Sequence, residues 1–268
     1  MILKEELFSI IDRVVLDYLK EKVDFMIVIN EFLKNDIHKT IDAFTTEYFY
    51  NFYSSLNWQD FKGLEIFFLL DSKFFLSSPE VLRENKVLGI KFFIDGTFSS
   101  STAWEIADKK NLFLDEKEFF EVLKLIGTKF TDLSYIYLAF HCVGKFAFKF
   151  LSKEIATKVL SHKNTILRVE HCCSIEKEDL MNLVELIDTY KSYGRVFLVL
   201  NPEPISYPIQ ELYKLRKYFY VCYASDTPIY SLDLKNSIIN ILGDNYEREF
   251  KFKIARDIFR FNKLLFRR

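Results

Sequence analysis

The chain has 268 residues, half of them hydrophobic, with 29 Phe and 15 Tyr to fill a core. Its 37 basic and 38 acidic residues leave a formal charge of −1, which gives no electrostatic footprint for nucleic acid. No uncharged apolar stretch approaches the roughly 18 residues of a membrane helix, and residues 1–6 carry no signal-peptide core.

Taken in chain order, residues 3–20 have apolar side chains at helical spacing (Leu7, Ile10, Ile11, Val14, Val15, Tyr18) and predict an amphipathic helix. Residues 23–29 form a short β-branched run, a candidate buried strand. Residues 35–56, rich in aromatics, predict a helix. Residues 64–70 are a second apolar run of strand length. Ser78 and Pro79 then mark a helix start, as N-cap and first helical position. A third strand is expected over 87–94, followed by a polar loop over 96–103 and a helix from Asp115 to about Phe130. A fourth strand over 135–140 leads to a helix at 146–161. A fifth strand over 166–169 leads to a helix at 177–190. Strands follow at 195–200 and 218–223, then helices near 232–242 and 249–264. The basic, aromatic stretch 251–268 reads as a solvated helix face.

Strands alternating with helices predict βαβ units and a parallel sheet, and near-continuous apolar strands predict cover on both faces. Seven candidate strands suit either a barrel one strand short or an open doubly wound sheet. Seven Gly and five Pro leave no marked linker, so one domain over 1–268 is expected. Neither a Gly-x-Gly-x-x-Gly nor a Gly-x-x-x-x-Gly-Lys-Ser/Thr phosphate cradle occurs. The four cysteines, Cys142, Cys172, Cys173 and Cys222, form no Cys-x-x-Cys pair. Reduced thiols in a cytoplasmic protein are expected.

Four apolar runs carry a residue able to bind metal at a strand end. They are Gly89-Ile90-Lys91-Phe92-Phe93-Ile94-Asp95-Gly96, Ala139-Phe140-His141-Cys142-Val143-Gly144, Leu167-Arg168-Val169-Glu170-His171 and Tyr223-Ala224-Ser225-Asp226-Thr227-Pro228. In a parallel barrel, residues at the carboxyl ends of successive strands converge on one site. Strand alternation places Glu170 opposite His171, with Lys145 or Lys153 as candidate ion-pair partners. It also packs Cys142 and Cys172 between strands and helices. Other readings stand beside these. Lys91 suits a snorkelling surface residue, His141 and His171 suit hydrogen-bonded core imidazoles, Asp226 suits an N-cap and Asp95 a turn.

These segments, in this order, resemble the metal-dependent amidohydrolase superfamily, and most closely amidohydrolase family 3, the N-substituted formamide deformylase-like hydrolases. The first, continuing through Thr97 to Ser100-Ser101-Thr102-Ala103, is similar to that group's G-V-K-x-F-x-D-G and S-x-T-A segment. His141-Cys142-Val143-Gly144 with Ala147 is similar to its H-A-I-G-D-R-A. Arg168-Val169-Glu170-His171 is similar to its R-I-E-H. Asn201-Pro202 stands where the group has Gln-Pro, and Ser225-Asp226-Thr227-Pro228 with Leu232-Asp233 is similar to its S-D-A-P-V and L-D-P. The resemblance covers roughly residues 88–235.

The resemblance implies a TIM-type (β/α) barrel, truncated or with an atypical first strand. It implies Lys91, His141 and His171 as metal ligands on strands 4, 5 and 6, with Lys91 carboxylated, and Asp226 as the catalytic base beyond strand 8. Asp95 and Asn201 become substrate-binding candidates. The family's strand-1 His-x-His is missing, since only His38 precedes Lys91, so the chain reads as starting at the helix after strand 1. Lys145 and Phe146 replace the Asp and Arg after the strand-5 Gly, Ser101 replaces a loop Arg, and the flanking β-sandwich is absent. One divalent ion, zinc, on three ligands plus water is then expected, serving hydrolysis of an amide or cyclic amide C–N bond in a small-molecule substrate. The other implied reading is an inactive barrel that binds or scaffolds. A barrel with a gap calls for a homodimer or a partner chain to close it.

Overall fold

The computed structural model describes residues 29–33, 39–45, 47, 50–51, 64–94, 114–142, 144–172, 175–200, 212, 214–215 and 217–223. Among the described residues eight strands lie side by side in chain order: β1 (Ile29–Leu33), β2 (Lys39–Thr45), β3 (Leu64–Asp71), β4 (Val87–Phe93), β5 (Ile136–His141), β6 (Thr165–Glu170), β7 (Val196–Leu200) and β8 (Tyr220–Tyr223). From β2 to β8 every pairing is parallel, and β1 joins β2 antiparallel. The fold is therefore α/β, a parallel sheet with alternating helices. Among the described residues the strand order never reverses, so the switch point of a doubly wound sheet is not seen there.

The helices are α1 (Ser72–Ser77), α2 (Glu116–Lys129), α3 (Gly144–Phe150), α4 (Ala156–Ser161) and α5 (Lys177–Tyr190). Local chemistry sets their starts. Asp71 caps α1 by accepting from the Phe74 N–H at 3.2 Å, and Asp115 caps α2 by accepting from the Glu118 N–H at 3.0 Å. The expected helix at Ser78-Pro79 is a short 3-10 turn, Pro79–Arg83, and Ser78 makes no side-chain cap. A π turn, Leu151–Ile155, interrupts the expected 146–161 helix between α3 and α4. At the amino end of the sheet the Arg195 guanidinium donates to the carbonyls of Leu160, His162 and Thr165, which ties the end of α4 to the β6–β7 pair.

A further expectation fails over part of its span only, since residues 47, 50 and 51 are helical. Residues 39–45 are strand β2, where aromatic content predicted a helix over 35–56. The segment Lys-Thr-Ile-Asp-Ala-Phe-Thr carries two β-branched Thr and an Ile, and pairing with both β1 and β3 outweighs its weak helical spacing. The strand expected at 23–29 lies outside the described residues except for Ile29, which opens β1. The helices expected at 3–20, 232–242 and 249–264 also lie outside them.

The two faces of the sheet differ. Phe68, Leu70, Ile90, Phe92, Leu138, Phe140, Leu167, Val169, Val196 and Leu198 pack with Phe119, Val122, Ile126, Val159, Leu160, Leu180, Leu183 and Ile187 of the helices. Phe67, Leu69, Leu88, Tyr137, Ala139, Ile166, Phe197 and Val199 point the other way and form a second buried cluster among themselves. Between Phe68 and Leu69 the partner on β4 jumps from Val87 to Gly89, an irregularity that resets the alternation of β4. Gly89 is required by close approach, because a Cβ there would sit 1.9 Å from the Tyr137 carbonyl oxygen. Among the described residues no helix is long and apolar enough to cross a membrane.

Candidate functional site

On the face away from the helices, residues line up in rows across the strands. Lys91 of β4 pairs in register with Ala139 of β5, and Ala139 with Arg168 of β6. The next row toward the carboxyl ends is Phe93, His141 and Glu170. Below these rows the face is apolar, with Leu69, Tyr137 and Ile166. The polar residues thus gather where parallel strands end, which is where α/β folds place their chemistry. The strand ends are tied together beyond the ladders. Ile94 N–H donates to His141 at 3.1 Å, Cys142 N–H to Glu170 at 3.2 Å and Cys172 N–H to Val199 at 3.1 Å.

Glu170 is the hub of the charged groups. Its Oε2 lies 2.5 Å from the Lys91 Nζ and its Oε1 lies 2.8 Å from the Arg168 Nη2, with all three side chains at most 3% exposed. The small Ala139 between Lys91 and Arg168 leaves the lysine stem room to cross β5. Burial alone would push the Glu170 carboxyl up. The charges of Lys91 and Arg168, a hydrogen bond from Lys91 and the charge of His171 together outweigh it, and the carboxyl falls to about 2. Glu170 thus turns to Lys91 and Arg168, while the side chain of Lys145, one of the expected partners, lies outside the described residues.

His141 and His171 stand beside this network, both buried, with ring centroids 4.1 Å apart. His141 is also 5.0 Å from the Phe93 ring, and the Lys91 Nζ is 5.5 Å from the centroid of that ring. Burial first, and then the charges of His171 and Lys91, push the His141 imidazole well below its ordinary range, so it is held neutral. His171 has a φ of 58°, in the left-handed region. Simple alternation sets His171 opposite Glu170, but this turn takes it out of the strand pattern and its ring comes to His141. A non-glycine residue held in that region costs about 1–3 kcal/mol and tends to mark functional sites.

Of the predicted residues, Lys91, His141 and His171 therefore come together. Asp95, Asn201 and Asp226 lie outside the described residues. Asn201 directly follows β7, while Asp95 and Asp226 follow shortly after β4 and β8. Among the described residues no three His, Cys, Asp or Glu side chains gather as a metal-binding group. Cys142 and Cys172 are buried in the helix-side cluster, as alternation predicts, and burial raises the Cys142 thiol. Sequence reasoning passed over Arg168 as a site residue. Its signal was present, since Arg168 and Glu170 are two apart on an otherwise apolar strand and so share one face.

Compared with protein-family models, curated proteins and solved structures, the chain matches none.

Proposed function

We propose that the chain is an amidohydrolase-like barrel whose strand-end site binds a single divalent ion, zinc, and hydrolyses the C–N bond of an amide or cyclic amide. The observation that carries this reading is the pair of buried imidazoles, His141 and His171, meeting at the ends of adjacent parallel strands. The four resembling segments support it, as does the turned backbone at His171. Barrel closure is supported by two features. Among the described residues the sheet is singly wound with its helices on one face, and the opposite face is nevertheless buried. The antiparallel β1 takes the place beside β2 where a first parallel strand would stand.

The donor set suits a metal in part. Imidazoles are suitable ligands when neutral, as His141 is held, and His141 and His171 would hold the ion. Lys91, engaged as an ammonium by Glu170, offers protons and no lone pair. Asp226, just beyond β8, is the remaining candidate ligand or base. A bound divalent ion would lower the pKa of a water toward about 7. Asp226 would take the proton of that water and return it to the leaving nitrogen. Asp95 and Asn201, after β4 and β7, are positioned by sequence to contact the substrate.

A second reading, an inactive barrel that binds or scaffolds, is favoured by one observation. The position where the resemblance implies a bridging ligand is filled by the Lys91–Glu170 ion pair. Elemental mass spectrometry separates the two. Wild type grown with zinc and bicarbonate is expected to hold about one ion per chain, and His141→Ala/His171→Ala none. Wild type without metal overturns the hydrolase in favour of the inactive barrel.

A further inference from the structure

We infer that Lys91 works in this site as a fixed ammonium clamped by Glu170, and that it is not converted to a carboxylated metal ligand. The inference deepens the proposed function, since it rests on the same strand-end site but assigns Lys91 a different chemistry. Glu170 becomes a positioning residue that holds the cation beside the two imidazoles, and metal binding falls to His141 and His171 without a bridging lysine.

Carboxylation would require Nζ to lose two protons to solvent, one to free the lone pair that attacks the carbon of CO2 and a second once the N–C bond has formed. The product adds a carbon and two oxygens to Nζ and turns a cation into an anion. Glu170 Oε2 stands 2.5 Å from Nζ, on one of the directions in which the adduct could grow. The adduct would also set two carboxylates side by side with side-chain exposure of at most 1%. Like charges in so dry a place repel strongly. Glu170 cannot simply swing away, since its other oxygen is held by Arg168 at 2.8 Å. The ion-paired ammonium satisfies the same carboxylate without rearrangement.

The test uses the full chain loaded with zinc in isotope-labelled bicarbonate. Carbon NMR is expected to show no carbamate resonance. A carbamate signal in wild type that disappears in Lys91→Gln overturns the inference. Charge variants give a second readout. Lys91→Glu, which imitates a carbamate, is expected to lower Tm by roughly 10 °C. The swap Lys91→Glu/Glu170→Lys is expected to recover most of that loss. Lys91→Glu that keeps both wild-type Tm and wild-type metal content overturns the inference as well. Should both charge variants fail to fold, the NMR measurement on wild type still decides. Wild type without zinc sinks the hydrolase reading alone, because the charge swap still tests the Lys91–Glu170 clamp through stability, without metal.

Discussion

The two faces of the sheet solve burial differently. The helix-covered face is apolar along its whole length, from Phe68 and Val196 to Phe140 and Val169, and its stability comes from dense packing. The opposite face begins the same way, with Leu69, Tyr137 and Ile166, then turns polar toward the carboxyl ends of β4, β5 and β6. There Lys91, Arg168, Glu170, His141 and His171 are buried as deeply as the aliphatic residues. A buried ion pair adds little net stability over a well-packed apolar core. Among the described residues the charged layer lies at the carboxyl ends of the face away from the helices, and it adds little that an apolar layer would not supply to folding.

The largest effect should come from breaking the charged layer. Glu170→Ala leaves Lys91 and Arg168 buried without their shared carboxylate, and it should cost about 3–5 kcal/mol in urea unfolding at neutral pH. The pH dependence follows in sign. The Glu170 carboxyl falls from an ordinary 4.5 to about 2 in the folded chain. Its contribution is fully present above about 4.5 and is lost as pH falls toward about 2. Glu170→Gln should lack that acid step. If its acid unfolding curve keeps the wild-type slope across this window, the carboxylate is not the hub described.

A cut on the other face should be smaller and should leave the site alone. Leu138 is fully buried among helix-side residues, one position along β5 from Ala139 of the charged face. Leu138→Ala should cost about 3 kcal/mol through lost burial and a cavity. The His141 imidazole should keep its proton affinity, read from its NMR titration. A shifted titration would show that the two faces are mechanically coupled through β5.

Much of this division was legible in the residues. The runs at 64–70, 87–94, 135–140 and 195–200 are apolar enough to declare buried strands, and Lys177–Tyr190 shows its helix by period alone. The strand ends were legible too, because Lys91, His141 and His171 interrupt apolar runs where no fold-only role requires them. Two things were not. Strand β2 hid because propensity over 39–45 is weak, and only pairing with β1 and β3 decides it. The pairing of Glu170 hid because alternation was carried one residue too far. His171 leaves the strand at its last step, through a left-handed φ that no local residue type announces.

The smallest effect tests the border between the faces. Asp71 ends β3 two residues beyond Leu69 of the helix-free face and pairs in register with Lys91. Alternation would add it to the charged layer. Instead its carboxylate turns to cap α1, and the charges acting on it are Lys73 and Glu118. Burial raises its pKa above the ordinary 3.8, against the cap hydrogen bond from Phe74, which lowers it. A raised carboxyl means the folded chain binds that proton more tightly than the unfolded chain, so stability falls as pH rises through the interval. At neutral pH the charge is thus a cost and the cap oxygen a gain. Asp71→Ala loses the cap and should cost about 1 kcal/mol. Asp71→Asn keeps an accepting oxygen without the charge and should match or exceed wild type at neutral pH. Were Asp71 part of the charged layer, removing its charge would leave Lys91 short of an anion, and Asp71→Asn would be less stable than wild type. Thermal unfolding of these two variants side by side therefore shows whether the charged layer stops at β4 or continues onto β3.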